Sequence, residues 1–202
     1  MATNDLNIYA AEPTAVGSIY AGPLDAVGPA LPDPFSELDS DFVNLGDVGE
    51  DGFNETTDRK NDKKRNFGGK VVKVLQTEFG KTIELVFLES LNADVLKAIH
   101  GTKNVIIVPA TTAHGEIIEV RKNAKRLPHL KWVVDTIDTS LGDDDHPAKY
   151  RSYIPNGQIV DTGDVKIVHT DTVEYKVTIE AFADDQGEHI YTWTDNGRVV
   201  TI

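Results

Sequence analysis

The tripeptide Gly80-Lys81-Thr82 is the segment that comes closest to a phosphate-binding motif. A P-loop ends in Gly-Lys-Thr and requires another glycine five residues before the first of these residues. That position is Leu75, so the backbone cradle for phosphate cannot form, and we interpret the tripeptide as a hairpin turn. The chain also lacks a G-x-G-x-x-G run, so no dinucleotide site is predicted.

Other kinds of reactive site are not predicted either. The chain has no Cys, which excludes thiolate metal sites, a cysteine nucleophile and disulfides. Its six histidines are scattered singly, without the spacing that brings two imidazoles to one metal. The run Asp143-Asp144-Asp145 does not match a calcium loop and indicates an exposed acidic turn. We therefore expect a protein that is not an enzyme, with no catalytic, cofactor-binding or metal-binding residues.

The charges are arranged in blocks of alternating sign. The net charge is −13, but residues 59–73 carry seven basic side chains against one acidic side chain. Residues 1–58 carry twelve acidic side chains and no Lys or Arg. Such blocks are usually solvated surface. In one small protein they also suit self-association, because one face can meet another of opposite potential.

The first 60 residues differ from the rest in composition. They contain five of the nine prolines, together with Gly and acidic residues, and have little strand or helix pattern. We expect residues 1–60 to form an extended arm and loop, and residues 61–202 to form a single β-sandwich domain. No run of about 18 apolar residues predicts a membrane span, and a soluble protein is expected.

The pattern from Lys70 onward predicts strands and one helix. A hairpin is predicted from Val71–Gln76 and Thr82–Leu88, and a helix at about residues 90–100, stopped by Gly101. Apolar and polar residues alternate most clearly over Val173–Phe182. The fold class is therefore mainly β, an antiparallel sandwich or barrel with one α-helix. The other predicted strands are Val105–Val108, Glu116–Val120, Lys131–Ile137, Ala148–Ile154, Val165–Val168, Ile190–Thr194 and Val199–Ile202.

Three phrases of sequence carry a resemblance to a known family. They are AVGSIYAGP at residues 15–23, NLGDVGEDG at residues 44–52 and NFGGKVVKVLQTEFGKTIELVFLESLNADVLKAIHG at residues 66–101. In this order they resemble the major tail protein of long-tailed siphophages that infect actinobacteria. The resemblance covers residues 15–108 well and the later strands only in kind.

The resemblance implies a structural virion protein, assembled in the host cytoplasm. It implies hexameric rings that stack into a tail tube around the tape measure protein and join terminator and baseplate (distal tail) proteins. DNA would pass through in transit only, and no membrane is involved. We expect the loop Asn54–Asn66 to stack on an acidic surface of the next ring through Arg59, Lys60, Lys63, Lys64 and Arg65. The expected bore-lining residues are Glu78, Glu84, Glu174, Lys176 and Glu180.

Two alternatives stay open. One is another ring component of a phage tail, either a terminator or a baseplate protein, which would form a single ring. The other is a ligand-binding or carbohydrate-binding β sandwich. That class normally presents exposed aromatic side chains in a row, whereas Trp132 and Trp193 both lie inside strand patterns.

Overall fold

A nine-stranded antiparallel sheet forms most of the protein in the computed structural model, which describes residues 7–143 and 145–199. The helix α1 spans Ala93–His100, and a short 3-10 turn follows at Thr102–Asn104. The prediction of a mainly β fold with one α-helix is confirmed. The strands are β1 (Glu12–Pro13), β2 (Ile19–Gly22), β3 (Val43–Asn44), β4 (Asn54–Arg65), β5 (Val71–Phe87), β6 (Val105–Val108), β7 (Ile117–Val120), β8 (Leu130–Gly142), β9 (Pro147–Thr162), β10 (Tyr175–Ala181) and β11 (Tyr191–Asp195).

The sheet has two parts that share the long strand β9. Its order is β3-β2-β8-β9-β10-β5-β4, with β1 also paired to β8 and β11 also paired to β9. The first half of β9 pairs with β8 and β11, and its second half pairs with β10. Strands β6 and β7 form a separate small sheet. One long strand thus carries the chain from one part of the sheet to the other.

The main core contains side chains from both parts of the sheet and from α1. Trp132 of β8, Phe87 of β5 and Val95 of α1 are at most 1% exposed and belong to this one cluster. Burial of each such side chain contributes about 1.5–3 kcal/mol to stability. Strand β10 buries Val177, Ile179 and Ala181 and turns its alternate residues away, as the alternation predicted.

The helix begins and ends where its sequence indicates. The side chain of Asn92 accepts a hydrogen bond from the Asp94 backbone N–H and caps the first turn. Gly101 has φ +87°, and its N–H donates to the carbonyl of Lys97 at 2.8 Å. A residue with a side chain would be strained at that φ, so glycine ends the helix there.

The N-terminal segment is packed against the sheet along much of its length. Ile19 and Leu45 are fully buried in the main core. A second cluster places Ala26 and Phe42 against Val133 and Tyr153 of the sheet. Residue 60, at which composition divides the chain, lies inside β4.

The predicted hairpin between residues 71 and 88 is wrong. Residues 71–87 form the single strand β5, and its partner is the segment that was expected to be a loop, Asn54–Arg65. The turn lies at residues 66–70, and Gly80 sits within β5 opposite Asp58. The segment Val165–Val168 is not a strand. In the predicted strand Val199–Ile202, residue 199 has no strand structure and residues 200–202 lie outside the described residues.

Candidate assembly surface

The hairpin of β4 and β5 projects from the body of the protein. Strand β10 pairs with β5 only over Lys81–Phe87. The rest of the hairpin, residues 58–80, has no third strand beside it among the described residues. Every residue of β4 is exposed. Its twelve residues have a length of about 40 Å at roughly 3.3 Å per residue. This length carries the turn far from the core.

Cross-strand contacts hold the stem of the hairpin together. The guanidinium of Arg59 lies 4.9 Å from the ring centroid of Phe79, and Arg59 also donates to the side chain of Gln76 at 3.1 Å. The ammonium of Lys60 lies 2.5 Å from a Glu78 carboxylate oxygen. Both Arg59 and Lys60, which the sequence predicted as stacking residues, therefore have partners within their own hairpin.

The hairpin tip, defined as residues 61–76, combines positive charge with exposed apolar side chains. It carries five basic residues and one acidic residue. Phe67 in the turn is fully exposed, and Val72 and Val74 are 60% and 53% exposed. An exposed apolar patch with a charged border is typical of a protein contact surface.

The predicted stacking residues Lys63, Lys64 and Arg65 all lie in this tip. Lys64 stands directly opposite Lys73 in the strand register, although it also contacts Asp62 at 2.6 Å. Like charges directly opposite each other destabilise a strand pair. Within the described part of the chain, Lys63 and Lys73 make no ion pair. The tip thus has positive charge that an acidic partner would neutralise.

Four of the five predicted bore residues share the polar face of β5 and β10. Lys176 contacts Glu84 across the two strands at 3.4 Å. Glu180 lies opposite Thr82 of β5, and Glu78 lies farther along β5 beside Lys60. Glu174 precedes β10 by one residue and accepts a hydrogen bond from the Thr172 hydroxyl at 2.9 Å. The structure brings Glu84 and Lys176 together but gives the face mixed charge rather than uniformly negative charge.

A cleft of about 780 Å³ opens at the base of the hairpin. Segments 9–18 and 46–55 line it together with β5, β8 and β9. Its wall includes Val48, Phe53, Ile83 and Leu88. All of the charged residues that line it are acidic: Glu12, Asp47, Glu50, Asp51 and Glu55.

A buried hydroxyl without a partner also lines this cleft. Ser152 of β9 is 4% exposed, and its Oγ makes no hydrogen bond. Buried polar groups in folded proteins normally have a partner, and an unpaired one costs about 1–3 kcal/mol. The hydroxyl is therefore an unpaired polar group in the wall of the cleft.

The other buried polar groups hold the fold together. Asp138 is fully buried and accepts hydrogen bonds from the backbone N–H of Ala10 at 2.7 Å and from the Ser140 hydroxyl at 2.6 Å. These two hydrogen bonds lower the pKa of Asp138. Burial raises the pKa of the Tyr153 hydroxyl to about 12.

The described residues contain no group of three or more His, Asp or Glu side chains placed to hold a metal ion. No helix in the same part of the chain has the length and hydrophobicity of a membrane span.

The middle residue of the predicted acidic turn, residue 144, lies outside the described residues. On either side of that gap, Asp143 accepts hydrogen bonds from the Asp145 and His146 backbones.

Sequence reasoning missed the apolar part of the tip and the cleft at its base. One sequence signal could have indicated the apolar part of the tip. Phe67 and the Val72–Val74 segment interrupt the basic block with large apolar residues. No local sequence pattern could have indicated the cleft, because its wall comes from segments that are far apart in the chain. Together, the fold and the surface describe a β-rich protein with an exposed, projecting hairpin, and the apolar and charged tip of this hairpin is of the kind that contacts other proteins.

The comparisons agree with that class. A family model described as phage tail tube protein matches residues 1–200. The chain belongs to this family, and it is a structural component of a phage tail. No curated protein matches the sequence.

Two solved structures are similar to the chain at a low level. The anti-feeding prophage cap (AFP tube terminating cap) has a TM-score of 0.44 and 8% identity, covering 96% of this chain and 100% of that chain. The sheath/tube terminator of an extracellular contractile injection system (PVC), in the extended state, has a TM-score of 0.41 and 8% identity, covering 90% of this chain and 97% of that chain. At these values neither structure defines how this chain assembles.

Proposed function

We propose that this chain forms hexameric rings that stack into the tube of a phage tail. The tube would surround the tape measure protein, end at terminator and baseplate (distal tail) proteins, and later conduct DNA out of the virion. Assembly would take place in the host cytoplasm. The observation that carries the proposal is the hairpin in a chain of the tail tube family, of which residues 58–65 of β4 project about 26 Å beyond the last residues that β10 pairs.

The sheet supplies the edges that ring closure requires. Strand β4 ends the sheet order, and the second half of β9 has a described partner, β10, on one side only. These two edges border a four-stranded unit, β9-β10-β5-β4. Free sheet edges are a liability that closure into a barrel removes. Pairing of β4 in one copy with β9 in the next would close a ring through heterologous contacts.

The dimensions of such a ring suit DNA. Six copies of four strands, at about 4.8 Å spacing and roughly 40° tilt, give a backbone diameter of about 48 Å. Inward side chains would leave on the order of 35–40 Å, which is wider than a duplex of roughly 20 Å. The polar face of β5 and β10 would line this bore.

The charges on that face suit passage without binding. Lys176 lies beside Glu84, and Lys60 lies beside Glu78. Glu174 and Glu180 have no ion pair within the described residues. A lysine-lined wall would gain affinity for DNA from every phosphate through counterion release. A wall with paired lysines and further carboxylates lacks that gain and lets DNA slide.

Stacking is the role we assign to the hairpin, including Arg59, Lys60, Lys63, Lys64 and Arg65. Because the tip lies far from the body, it can reach a copy in the next ring. The contact joins different surfaces on the two copies, and a heterologous contact of this kind can repeat along an axis without closing. Arg59 and Lys60 would stiffen the stem, and the tip residues would make the contact.

Negative-stain electron microscopy of the purified chain, with a sizing column, tests the proposal. Tubes with a central bore, or six-membered rings that stack, are the expected result at high concentration. Discrete rings that never stack would instead favour the terminator or baseplate alternative. A monomer at every concentration would contradict self-assembly by this chain.

A variant with a shortened hairpin tests whether the hairpin is needed for stacking but not for folding. Residues 61–77 would be replaced by Asn-Gly, a two-residue turn suited to an antiparallel hairpin. The stem pairs from Asn54 to Lys60 remain in register. We expect a folded chain that forms no tubes, and normal tubes would rule out the hairpin as the stacking element.

A further inference from the structure

We infer that the cleft at the base of the hairpin is the receptor for the hairpin tip of a second copy, with Phe67 as the anchor. This inference rests on the proposed function and names the surface that the tip contacts. The contact joins the hairpin tip of one copy to the cleft at the hairpin base of the next copy. The contact is therefore directional.

Shape and polarity of the two surfaces correspond. Phe67 is fully exposed at the turn, and Val72 and Val74 expose apolar surface on the strand that follows the turn. The cleft has a volume of about 780 Å³ and an apolar wall that includes Val48 and Phe53. An aromatic side chain that fills a desolvated pocket is the usual anchor of a protein interface.

The charges of the two surfaces are opposite. The tip carries five basic residues and one acidic residue. The charged residues that line the cleft are all acidic, and Asp47, Glu50 and Asp51 have no ion pair within the described part of the chain. Opposite potentials speed encounter and disfavour the reverse orientation, in which tip would meet tip.

An independent feature of the cleft points to an occupant. Ser152 is 4% exposed and lines the cleft, yet its Oγ has no hydrogen-bond partner. A backbone carbonyl or amide of an inserted turn would satisfy it. In the turn at residues 66–70, the backbone groups of Asn66, Gly69 and Lys70 bond within the turn, whereas those of Phe67 and Gly68 make no hydrogen bond within the described part of the chain.

The two surfaces cannot meet within one copy. The cleft lies beside Asn54, where β4 begins, and the turn lies beyond Arg65, where β4 ends. An extended strand of twelve residues holds them about 40 Å apart. Complementary surfaces that a rigid strand keeps apart can be joined only between copies. When each copy gives its tip to one neighbour and its cleft to another, the contact is heterologous and can repeat along an axis.

A charge exchange tests the contact. Three substitutions reverse the sign of each surface. Lys63→Glu, Lys70→Glu and Lys73→Glu leave the tip with two basic and four acidic residues, and Asp47→Lys, Glu50→Lys and Asp51→Lys leave the cleft with three basic and two acidic residues. We expect each triple variant to raise the critical concentration for tube formation about tenfold or more, measured by light scattering and electron microscopy. The chain with all six substitutions should assemble near the wild-type concentration, because its tip and cleft are again opposite in charge.

A second comparison tests the anchor. Phe67→Ser should abolish tubes, whereas Ile167→Ser, at a position that is 81% exposed but outside the hairpin, should leave assembly unchanged. All variants must show the wild-type circular dichroism spectrum and thermal transition.

The possible failures are distinguishable. If the wild type forms tubes but the cleft reversal assembles normally, or the six substitutions together do not restore assembly, the tip-to-cleft contact is overturned and the tube function stands. If the wild type never assembles, the proposed function itself fails.

Discussion

Arg151 and Asp135 form a bidentate ion pair across β9 and β8, with Nε–Oδ1 at 2.6 Å and Nη2–Oδ2 at 2.7 Å. The remaining nitrogen of Arg151, Nη1, donates to the backbone carbonyls of Pro34 and Ser36 at 2.7 and 2.9 Å. The guanidinium thus ties the N-terminal segment to the sheet. It is 7% exposed, so water does not replace these contacts.

Arg151→Met should destabilise the protein by about 3–5 kcal/mol, because Asp135 would be left without its partner in a largely buried position. The free energy of unfolding, from urea titration, is the measurement. Arg126→Met is the matched control, since Arg126 is exposed, and its effect should stay within about 0.5 kcal/mol. Equal effects of the two substitutions would show that the pair does not anchor the segment.

Gly157→Ala should destabilise the fold by about 1–3 kcal/mol through overpacking. An added Cβ would lie 2.6 Å from Cδ1 of Trp132, which is 1% exposed and cannot move aside freely. Gly80→Ala is the control, because Gly80 also lies in a strand but has nothing within 4 Å of the added atom. Thermal unfolding of both variants provides the measurement, and a stable Gly157→Ala chain would contradict the packing described for Trp132.

Acid should weaken the fold partly through Asp138. Its pKa is lowered in the folded chain from the model-compound value of 3.8, first by the Ala10 N–H and then by Ser140. A carboxyl whose pKa is lowered by folding stabilises the folded chain at any pH above its pKa in the unfolded chain. That stabilisation is lost as the pH falls from about 3.8 through the pKa in the folded chain. Asp138→Asn should therefore flatten the decline of unfolding free energy between pH 5 and 3, as followed by urea titration at each pH. An unchanged slope would mean that other carboxylates carry the whole acid response.

Reversal of charge in the proposed bore should affect DNA and not assembly. Glu174→Lys with Glu180→Lys adds unpaired lysines to the polar face, and each gains counterion-release energy from passing phosphates. We expect intact tubes and slower DNA ejection from assembled virions, with the greatest slowing at low salt. Thr112→Lys, at an exposed position between β6 and β7 of the separate small sheet, serves as the charge control. Normal ejection kinetics would exclude this face from the DNA path.

The pattern of apolar residues predicted the core more successfully than the hairpin. The alternation over β10 and the caps of α1 are local signals, and the structure confirms both. Strand β4 has no such signal, because all its residues are exposed and polar. Its conformation comes from backbone hydrogen bonds to β5, and a polar sequence with two solvated faces does not reveal these bonds. The turn was placed at Gly80 for the same reason, although glycine there lies within a strand.

The sequence by itself determined the fold class, the helix, the family resemblance and the separation of charge into blocks, because each depends on neighbouring residues. Only the tertiary structure decided how those blocks are placed. It ties the proline-rich segment to Arg151, carries the basic block to the end of a hairpin, and gathers acidic residues from distant segments around a cleft at the other end. The physical reason is that strand pairing between β4 and β5, and packing across β9, join residues that are far apart in the chain, and no local pattern records such contacts.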